Sequence, residues 1–347
     1  MGIGATILMI AFFPLNSFLL FHESWAGGRQ VQADFSTENK SIQGLAQGVE
    51  TEKKPEAIKL LKAQAVDDPQ YQPVRKEGVS DLVLPNAHAS VVIDGDTGTI
   101  LHYNEGRTQR QIASLTKIMT AVLVMENVKD LNEAVTIDEE AVYIEGTKIG
   151  CPRSGYCISP RLKVGEKISV KSLLQAMLMN SANDAALALG KHISGTEEEF
   201  ADLMNKKAKE LGLVDTKFCT ASGLDLDDEE AAAKCYSSAY DIARIGAYSL
   251  RYDTIWKMFR MPNNSIVTSL DGKIEHTILN TDLALDQISN VYGGKTGFTP
   301  MAGYSLLMAV SDPSTKHRII VVVLDDPQRW QDIRTAIDWT LNSYSWR

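Results

Sequence analysis

Three short polar motifs, spaced along the chain in a set order, constrain this sequence more than any other feature. They are Ser-Leu-Thr-Lys at residues 114–117, Ser-Ala-Asn at residues 181–183 and Lys-Thr-Gly at residues 295–297. Each motif recurs by chance, but their order, spacing and context together do not. A fold that brought them into one cleft would combine a serine nucleophile, a lysine base and amide hydrogen bonds, which is the chemistry of acyl transfer to serine.

The first motif begins a predicted amphipathic helix over residues 111–127. Ser114 and Lys117 are three residues apart, so a helix places both side chains on one face, within reach of each other. Lysine acts as a base only when burial or neighbouring cations lower its pKa. The helix N-terminus also favours charge that develops at Ser114. The plainer alternative is that Ser114 caps the helix and Lys117 is solvated.

The second motif falls in a polar break between two predicted helices. Ser181 and Asn183 would both point into one cleft, where Ser181 relays a proton while Asn183 holds a substrate amide and keeps Lys117 in place. The alternative is that both residues simply cap the next helix, residues 184–193.

The third motif follows Gly293 and Gly294 on a predicted strand. Glycines at such positions allow a substrate backbone to approach closely and to pair along the strand. Lys295 and Thr296 would then bind a substrate carboxylate. The alternative is an edge strand with a solvated lysine and no ligand.

Hydrophobic periodicity predicts strands at both ends of the chain's second part, with helices between them. Two strands, residues 88–94 and 99–103, flank a Gly-Asp-Thr-Gly turn that is typical of a hairpin. Helices are predicted over residues 172–179, 184–193, 197–211 and 330–342, and further strands over residues 290–295, 303–310 and 318–324. This order predicts an α+β domain.

The N-terminal residues resemble an export signal. Residues 3–21 are almost continuously apolar, and Ser24 and Ala26 are small residues at the two positions that a signal peptidase recognises. We therefore predict that residues 1–26 are a signal peptide or, as the alternative, an uncleaved membrane anchor, because the run is nearly long enough to span a bilayer of ~30 Å. Both interpretations predict an extracytoplasmic location. Residues 27–85 are polar and poor in aromatic side chains, which predicts a flexible linker.

The four cysteines suit an oxidising compartment. Cys151 is close in sequence to Cys157, and Cys219 to Cys235, so disulfides within each pair are favoured among the three possible connectivities. Free buried thiols are the alternative. A zinc site is disfavoured because no nearby histidine completes a ligand set.

Composition and missing motifs exclude several other functions. The net charge of −9 and the pI near 5.3 argue against a nucleic-acid partner. The sequence has no His-Glu-x-x-His zinc motif and no histidine in the context of a Ser-His-Asp triad. The acidic segment 225–230 is predicted to be a solvated face rather than a metal site. We therefore expect the site to use no metal or other cofactor.

The wider sequence around the three motifs resembles the penicillin-binding D-alanyl-D-alanine carboxypeptidases, peptidase family S11 of the serine β-lactamase and DD-peptidase superfamily. The matching contexts are Ile-Ala-Ser-Leu-Thr-Lys-Ile-Met-Thr-Ala at residues 112–121, Asn-Ser-Ala-Asn-Asp-Ala-Ala at 180–186 and Gly-Lys-Thr-Gly-Phe-Thr at 294–299. The resemblance implies a catalytic domain over residues 86–347, in which an antiparallel sheet flanked by helices and a mostly helical subdomain enclose a cleft.

That resemblance also implies a reaction. Ser114 attacks the carbonyl between the two terminal D-alanines of a peptidoglycan stem peptide, and Lys117 accepts its proton. D-alanine leaves, and water then releases the shortened peptide, with Lys117 and Ser181 handling the protons. The oxyanion is held by the backbone N–H groups of Ser114 and Phe298. Penicillins and other β-lactams would acylate Ser114.

The resemblance further implies which residues bind the substrate. They are Lys295, Thr296, Gly297, Phe298 and Arg329, with Arg329 near the substrate carboxylate. The segments 151–160 and 225–235 look like insertions in loops beside the cleft. Relatives often carry a further β-rich domain and a C-terminal anchoring helix, so membrane attachment of this chain is expected through its N-terminal segment.

Three related activities are alternatives to the carboxypeptidase. A D,D-endopeptidase that cuts peptidoglycan cross-links uses the same residues. A penicillin-binding sensor or wall-binding module would be acylated without turnover. A class A β-lactamase is disfavoured, because the sequence has no Glu-x-x-Leu-Asn between Asn183 and Lys295 to activate the deacylating water.

Overall fold

The computed structural model describes residues 72–152, 155–288 and 290–347. The strands are β1 (Pro73–Arg75), β2 (Ala89–Asp94), β3 (Ile100–Asn104), β4 (Ala134–Thr136), β5 (Lys167–Ser169), β6 (Ser265–Thr268), β7 (Glu275–Ile278), β8 (Val291–Thr299), β9 (Gly303–Ser311), β10 (Arg318–Leu324) and β11 (Tyr344–Trp346). The predicted signal peptide or anchor and most of the predicted linker lie outside the described residues.

The helices occupy mainly the middle of the chain, as the periodicity predicts. They are α1 (Lys117–Asn127), α2 (Glu139–Tyr143), α3 (Val170–Met179), α4 (Asn183–Ser194), α5 (Glu197–Glu210), α6 (Glu229–Ala232), α7 (Ala239–Ser249), α8 (Asp253–Phe259) and α9 (Arg329–Ser343), and a short 3-10 helix, Ala113–Thr116, leads into α1. Among the described helices, none has both the length and the apolar character that a bilayer crossing needs.

Five strands form one antiparallel sheet in the order β3–β2–β10–β9–β8. The β2–β3 hairpin is confirmed, and β2 also pairs with β10, so the two ends of the domain meet in the middle of the sheet. β8, which carries the third motif, pairs with β9 at one edge. The predicted α+β fold with an antiparallel sheet is confirmed.

Alternate residues of β10 enter two different cores, which explains why this strand is apolar on both sides. Ile320 and Val322 belong to a core shared with α1, α3, α4 and α7. Ile319 and Val321 belong to a second core that is covered by α9. The sheet therefore has helices on both faces, and the face toward α1 is the one that meets the first motif.

Several elements were not predicted from the sequence, namely α2, α6, α7, α8, β1, β4, β5, β6, β7 and β11. Helix α7 was missed although its apolar residues recur at helical spacing, and its polar residues Asp241 and Arg244 are buried together with them. Strand β1 lies within the predicted linker but pairs with β11, with Pro73 opposite Trp346. Leu82 and Leu84 are also buried in the second core. The folded domain therefore includes residues 72–85, and the predicted boundary at residue 86 is too late.

Both predicted disulfides are present, Cys151–Cys157 and Cys219–Cys235. The second one closes a loop that runs along α1. A hydrogen bond from Thr120 Oγ1 to the carbonyl of Ala221, 2.6 Å long, fastens this loop to the helix. The disulfide therefore restrains a segment that lies directly against the first motif.

Replacing both Cys219 and Cys235 with serine should lower the free energy of unfolding by about 3 kcal/mol, because the bond joins residues 16 positions apart and restricts the unfolded chain. Urea unfolding of the variant and the wild type would measure this. Replacing both Cys151 and Cys157 with serine is the matched control. It should lower the free energy of unfolding by less, since that loop spans only 6 positions. Equal losses in the two variants would contradict the loop-length argument.

Candidate active site

The 3-10 helix places Ser114 one turn before Lys117, the first residue of α1. Lys117 is fully buried, and its Nζ lies 2.8 Å from Ser114 Oγ. Ala113, directly before the serine, has a φ of 47°, a left-handed conformation that non-glycine residues rarely adopt. The predicted contact between Ser114 and Lys117 is thus present, and the alternative of a solvated lysine is wrong.

The buried amine has three hydrogen-bond partners. Besides Ser114 Oγ, Lys117 Nζ donates to Asn183 Oδ1 at 2.8 Å and to the carbonyl oxygen of Ser222 at 2.7 Å. An ammonium group uses its three N–H bonds in these contacts, whereas a neutral amine donates two and accepts the Ser114 hydroxyl with its lone pair. Asn183 in turn donates from Nδ2 to the carbonyl of Glu145 at 2.9 Å. Asn183 therefore holds Lys117, as the spacing of the motifs predicted.

Two neighbouring lysines shape the electrostatics of the site. Burial lowers the pKa of Lys117 well below its usual range, and the positive charge of Lys295 lowers it further against the opposing effect of Asp184. Burial also lowers the pKa of Lys295 to about 7, together with the charge of Arg329 and against that of Asp282. Both effects on Lys117 favour its neutral amine, which is the form that a lysine base requires.

Ser181 lies at the break between α3 and α4. It is buried and has a φ of 59°, and its carbonyl accepts a 2.7 Å hydrogen bond from Thr147 Oγ1. Helix α4 has Ala182 as its N-cap, with no side-chain capping bond, so the alternative that Ser181 and Asn183 merely cap this helix is wrong. Among the described residues, Ser181 does not contribute to the three hydrogen bonds of Lys117.

The third motif lies on edge strand β8 and approaches the first motif closely. A Cβ atom at Gly297 would lie 2.9 Å from the carbonyl oxygen of Ile112 and 3.4 Å from Ala113 Cβ. A larger residue would therefore push the strand away from the nucleophile. Lys295 is fully buried and donates from Nζ to the carbonyl of Thr296 at 2.9 Å. The alternative of a solvated lysine on this strand is also wrong.

Arg329, the first residue of α9, reaches the same strand from the other face of the sheet. Its Nη1 donates to the carbonyls of Gly297 at 2.8 Å and Ser305 at 3.1 Å. The guanidinium also lies 5.1 Å from the centre of the Tyr304 ring, which stacks on Phe298 with ring centres 4.4 Å apart. Arg329 is thus adjacent to the third motif, and its contact with a substrate carboxylate stays a prediction.

Sequence reasoning missed the loop that supplies the third partner of Lys117. Ser222 acts through its carbonyl oxygen, and every residue type has that group, so no side chain marks the position. The following Gly223 has a φ of 75°, and a Cβ there would lie 2.0 Å from the carbonyl oxygen of Ala113. A glycine directly after the serine, in the loop closed by the second disulfide, was the available signal for this close approach.

A cluster of possible metal ligands lies in the described part of the chain, formed by Asp94, Asp96 and His317. Its carboxylates already have protein partners. Arg318 Nε donates to Asp96 at 2.9 Å, and Trp346 Nε1 donates to Asp94 at 2.5 Å. The cluster is therefore explained as an ion-paired network that joins β2 to β10 and β11.

Comparisons with known sequences agree with this geometry. The D-alanyl-D-alanine carboxypeptidase family model, peptidase family S11, matches residues 79–328. The D-alanyl-D-alanine carboxypeptidase DacF of Bacillus subtilis (strain 168) is 32% identical over 263 residues, which cover 74% of this chain and 63% of that protein. DacA of Haemophilus influenzae is 34% identical over 246 residues, covering 70% of this chain and 57% of that protein. The matches thus span less than two thirds of these relatives.

Solved structures show the same fold. A D-alanyl-D-alanine carboxypeptidase from Mycobacterium tuberculosis H37Rv superimposes with a TM-score of 0.66 at 25% identity, covering 78% of this chain and 96% of that one. Penicillin-binding protein D2 from Listeria monocytogenes, in its ampicillin-bound form, gives a TM-score of 0.62 at 28% identity, covering 75% and 99%. With its three motifs assembled around a buried lysine on this fold, the chain belongs to the D-alanyl-D-alanine carboxypeptidase family, peptidase family S11.

Proposed function

We propose that this chain is a serine D,D-carboxypeptidase that removes the terminal D-alanine from peptidoglycan stem peptides. One observation carries the proposal: a fully buried lysine amine lies 2.8 Å from the hydroxyl of Ser114 and has a strongly lowered pKa. A serine hydroxyl is a weak nucleophile until a base removes its proton. Family membership and the names of the relatives support the substrate class.

In the acylation step, neutral Lys117 accepts the hydroxyl proton of Ser114 as Oγ bonds to the carbonyl carbon between the two D-alanines. The negative charge moves to the carbonyl oxygen, where the N–H groups of Ser114 and Phe298 stabilise it. The C–N bond then breaks, and the leaving amine of D-alanine takes up a proton that Lys117 returns through Ser181. Water attacks the acyl-enzyme in the same way and releases the shortened peptide.

The substrate is held along the edge strand. An extended peptide pairs with β8 beside Gly297, and its terminal carboxylate lies near Lys295 and Thr296. Protonated Lys295 and the guanidinium of Arg329 make this end of the cleft positive, which suits an anionic group. The Thr296 hydroxyl, which donates to Thr281 Oγ1 at 3.1 Å, turns its proton toward the same carboxylate when the substrate binds.

We place the enzyme on the wall-facing side of the membrane. The apolar segment 3–21 supports export, and two disulfides are consistent with an oxidising compartment. Residues 1–26 act as a cleaved signal or hold the chain at the membrane by its N-terminus. β-lactam antibiotics are the second class of ligand, because they acylate the same serine.

The nucleophile is tested with Ser114→Ala, which should abolish both labelling by a fluorescent penicillin and release of D-alanine from a pentapeptide ending in D-Ala-D-Ala. The reason is that the variant lacks the hydroxyl that forms the acyl-enzyme. Ser265→Ala, on the β6–β7 hairpin, is the matched control and should retain both activities. Wild-type labelling without release of D-alanine would favour a sensor. Cleavage of cross-linked dimers without release of D-alanine from the pentapeptide would favour an endopeptidase. An unlabelled wild type would overturn the proposal.

The pH dependence of kcat/KM tests the roles of the two lysines. We expect a bell-shaped profile, since activity rises as Lys117 loses its proton and falls as Lys295, with a pKa of about 7, loses the charge that binds the carboxylate. Lys295→Arg keeps that charge and should remove the falling limb. Lys117→Met should reduce kcat by about 10²–10⁴, the usual contribution of a general base. Wild-type activity that rises steadily to pH 10 would contradict the role of Lys295.

A further inference from the structure

We infer that Asp225 is a positioning residue for acylation: its hydrogen bond to Thr299 ties the loop that holds Lys117 to the strand that carries the Phe298 N–H. This inference rests on the proposed function. It concerns a pair of residues 74 positions apart, and neither belongs to the three motifs. We call residues 219–225 the lysine-holding loop.

The lysine-holding loop is fixed at its base and along its middle. Cys219 joins it to Cys235, and the carbonyl of Ala221 accepts the Thr120 hydroxyl at 2.6 Å. The carbonyl of Ser222 then accepts the Lys117 amine at 2.7 Å. Because two successive carbonyls bond to α1, any movement of this loop changes the surroundings of the proposed base.

The loop then turns sharply against the residue that precedes the nucleophile. Gly223, at a φ of 75°, passes so close that a Cβ would lie 2.0 Å from the carbonyl oxygen of Ala113 and 2.6 Å from Thr116 Oγ1. The Gly223 N–H is held by Thr220 Oγ1 at 2.9 Å. These contacts therefore fix the direction of the backbone after the turn. The chain continues from there toward the C-terminal end of β8.

At the end of the loop, Asp225 meets the strand. Thr299 Oγ1 donates to Asp225 Oδ1 at 3.1 Å and accepts the N–H of Ala302 at 3.1 Å. Asp225 is half-buried, whereas residues 227–230 beyond it are exposed. The prediction that segment 225–230 is a solvated face therefore fails for Asp225, whose carboxylate has a specific partner, and holds for the four residues after Leu226.

This hydrogen bond lies next to the proposed oxyanion donor. Thr299 faces the same side of β8 as Lys295 and Gly297, because side chains alternate along a strand. Gly297 is held through its carbonyl by Arg329, so Asp225 fixes the strand on the other side of Phe298. An oxyanion donor must remain about 2.7–3.1 Å from the developing charge. Asp225 therefore aligns this donor with the same loop that aligns Lys117.

The experiment compares Asp225→Ala, Thr299→Val and the double variant in the full chain, with Asp227→Ala as the matched control for charge. Three quantities are measured: the second-order rate of acylation by a fluorescent penicillin, kcat and KM for a pentapeptide ending in D-Ala-D-Ala, and the thermal unfolding midpoint. Thr299→Ser tests rescue, because it restores the hydroxyl without the methyl group.

We expect each single variant to lower kcat and the acylation rate by about 10- to 100-fold, the usual cost of misplacing a reacting group by ~1 Å, with little change in KM. The double variant should have kcat and an acylation rate no lower than those of either single variant, since both substitutions remove the same hydrogen bond. Thr299→Ser and Asp227→Ala should remain within about twofold of wild type.

The inference would be overturned if the rate losses of the two single variants added in the double variant. It would also be overturned if Thr299→Ser did not restore the rate, or if Asp227→Ala lost as much activity as Asp225→Ala. A loss of activity that parallels a fall in the thermal unfolding midpoint would also overturn it, because that would show a purely structural role. If the wild type is labelled and Asp225→Ala is labelled at the same rate, this inference fails while the proposed function stands. If the wild type is not labelled, the proposed function fails and this inference fails with it.

Discussion

A buried amine must find its hydrogen bonds inside the protein, because an unsatisfied buried donor costs about 1–3 kcal/mol. Lys117 makes its hydrogen bonds with Ser114, Asn183 and the carbonyl of Ser222, which is 105 positions away along the chain. One nitrogen atom thus brings the nucleophile, the break between α3 and α4, and the loop along α1 to a common point. The remaining parts of the site are arranged around this nitrogen.

The same burial makes the amine chemically useful. Lys117 and Lys295 are both fully buried, and burial lowers the pKa of each. Asp184 opposes this effect at Lys117, and Asp282 opposes it at Lys295, so each amine has a partly compensating carboxyl group. The domain bears the cost of desolvating two lysines in one cleft, and the proposed function uses one as a neutral base and the other to bind an anion.

Close backbone approach is the second requirement, and it explains where unusual backbone conformations occur. Ala113, directly before the nucleophile, and Ser181, the first residue of the second motif, have positive φ angles. Gly223 and Gly297 leave no room for a Cβ atom against the backbone of residues 112–113. Unfavourable conformations of this kind persist where surrounding packing fixes them, often at functional sites. Here that packing brings both β8 and the lysine-holding loop against the 3-10 helix.

Local spacing in the sequence by itself determined much of this protein: the α+β order, the β2–β3 hairpin, Ser114 beside Lys117, the two short-range disulfides and the three motifs. Only the tertiary structure decided the contacts that lack a side-chain signature. The Ser222 carbonyl is chemically the same in every residue, the short strand β1 is defined by its pairing with β11, and the bond from Thr299 to Asp225 spans 74 positions. Such contacts depend on how distant segments pack together, and periodicity and motif spacing do not specify that packing.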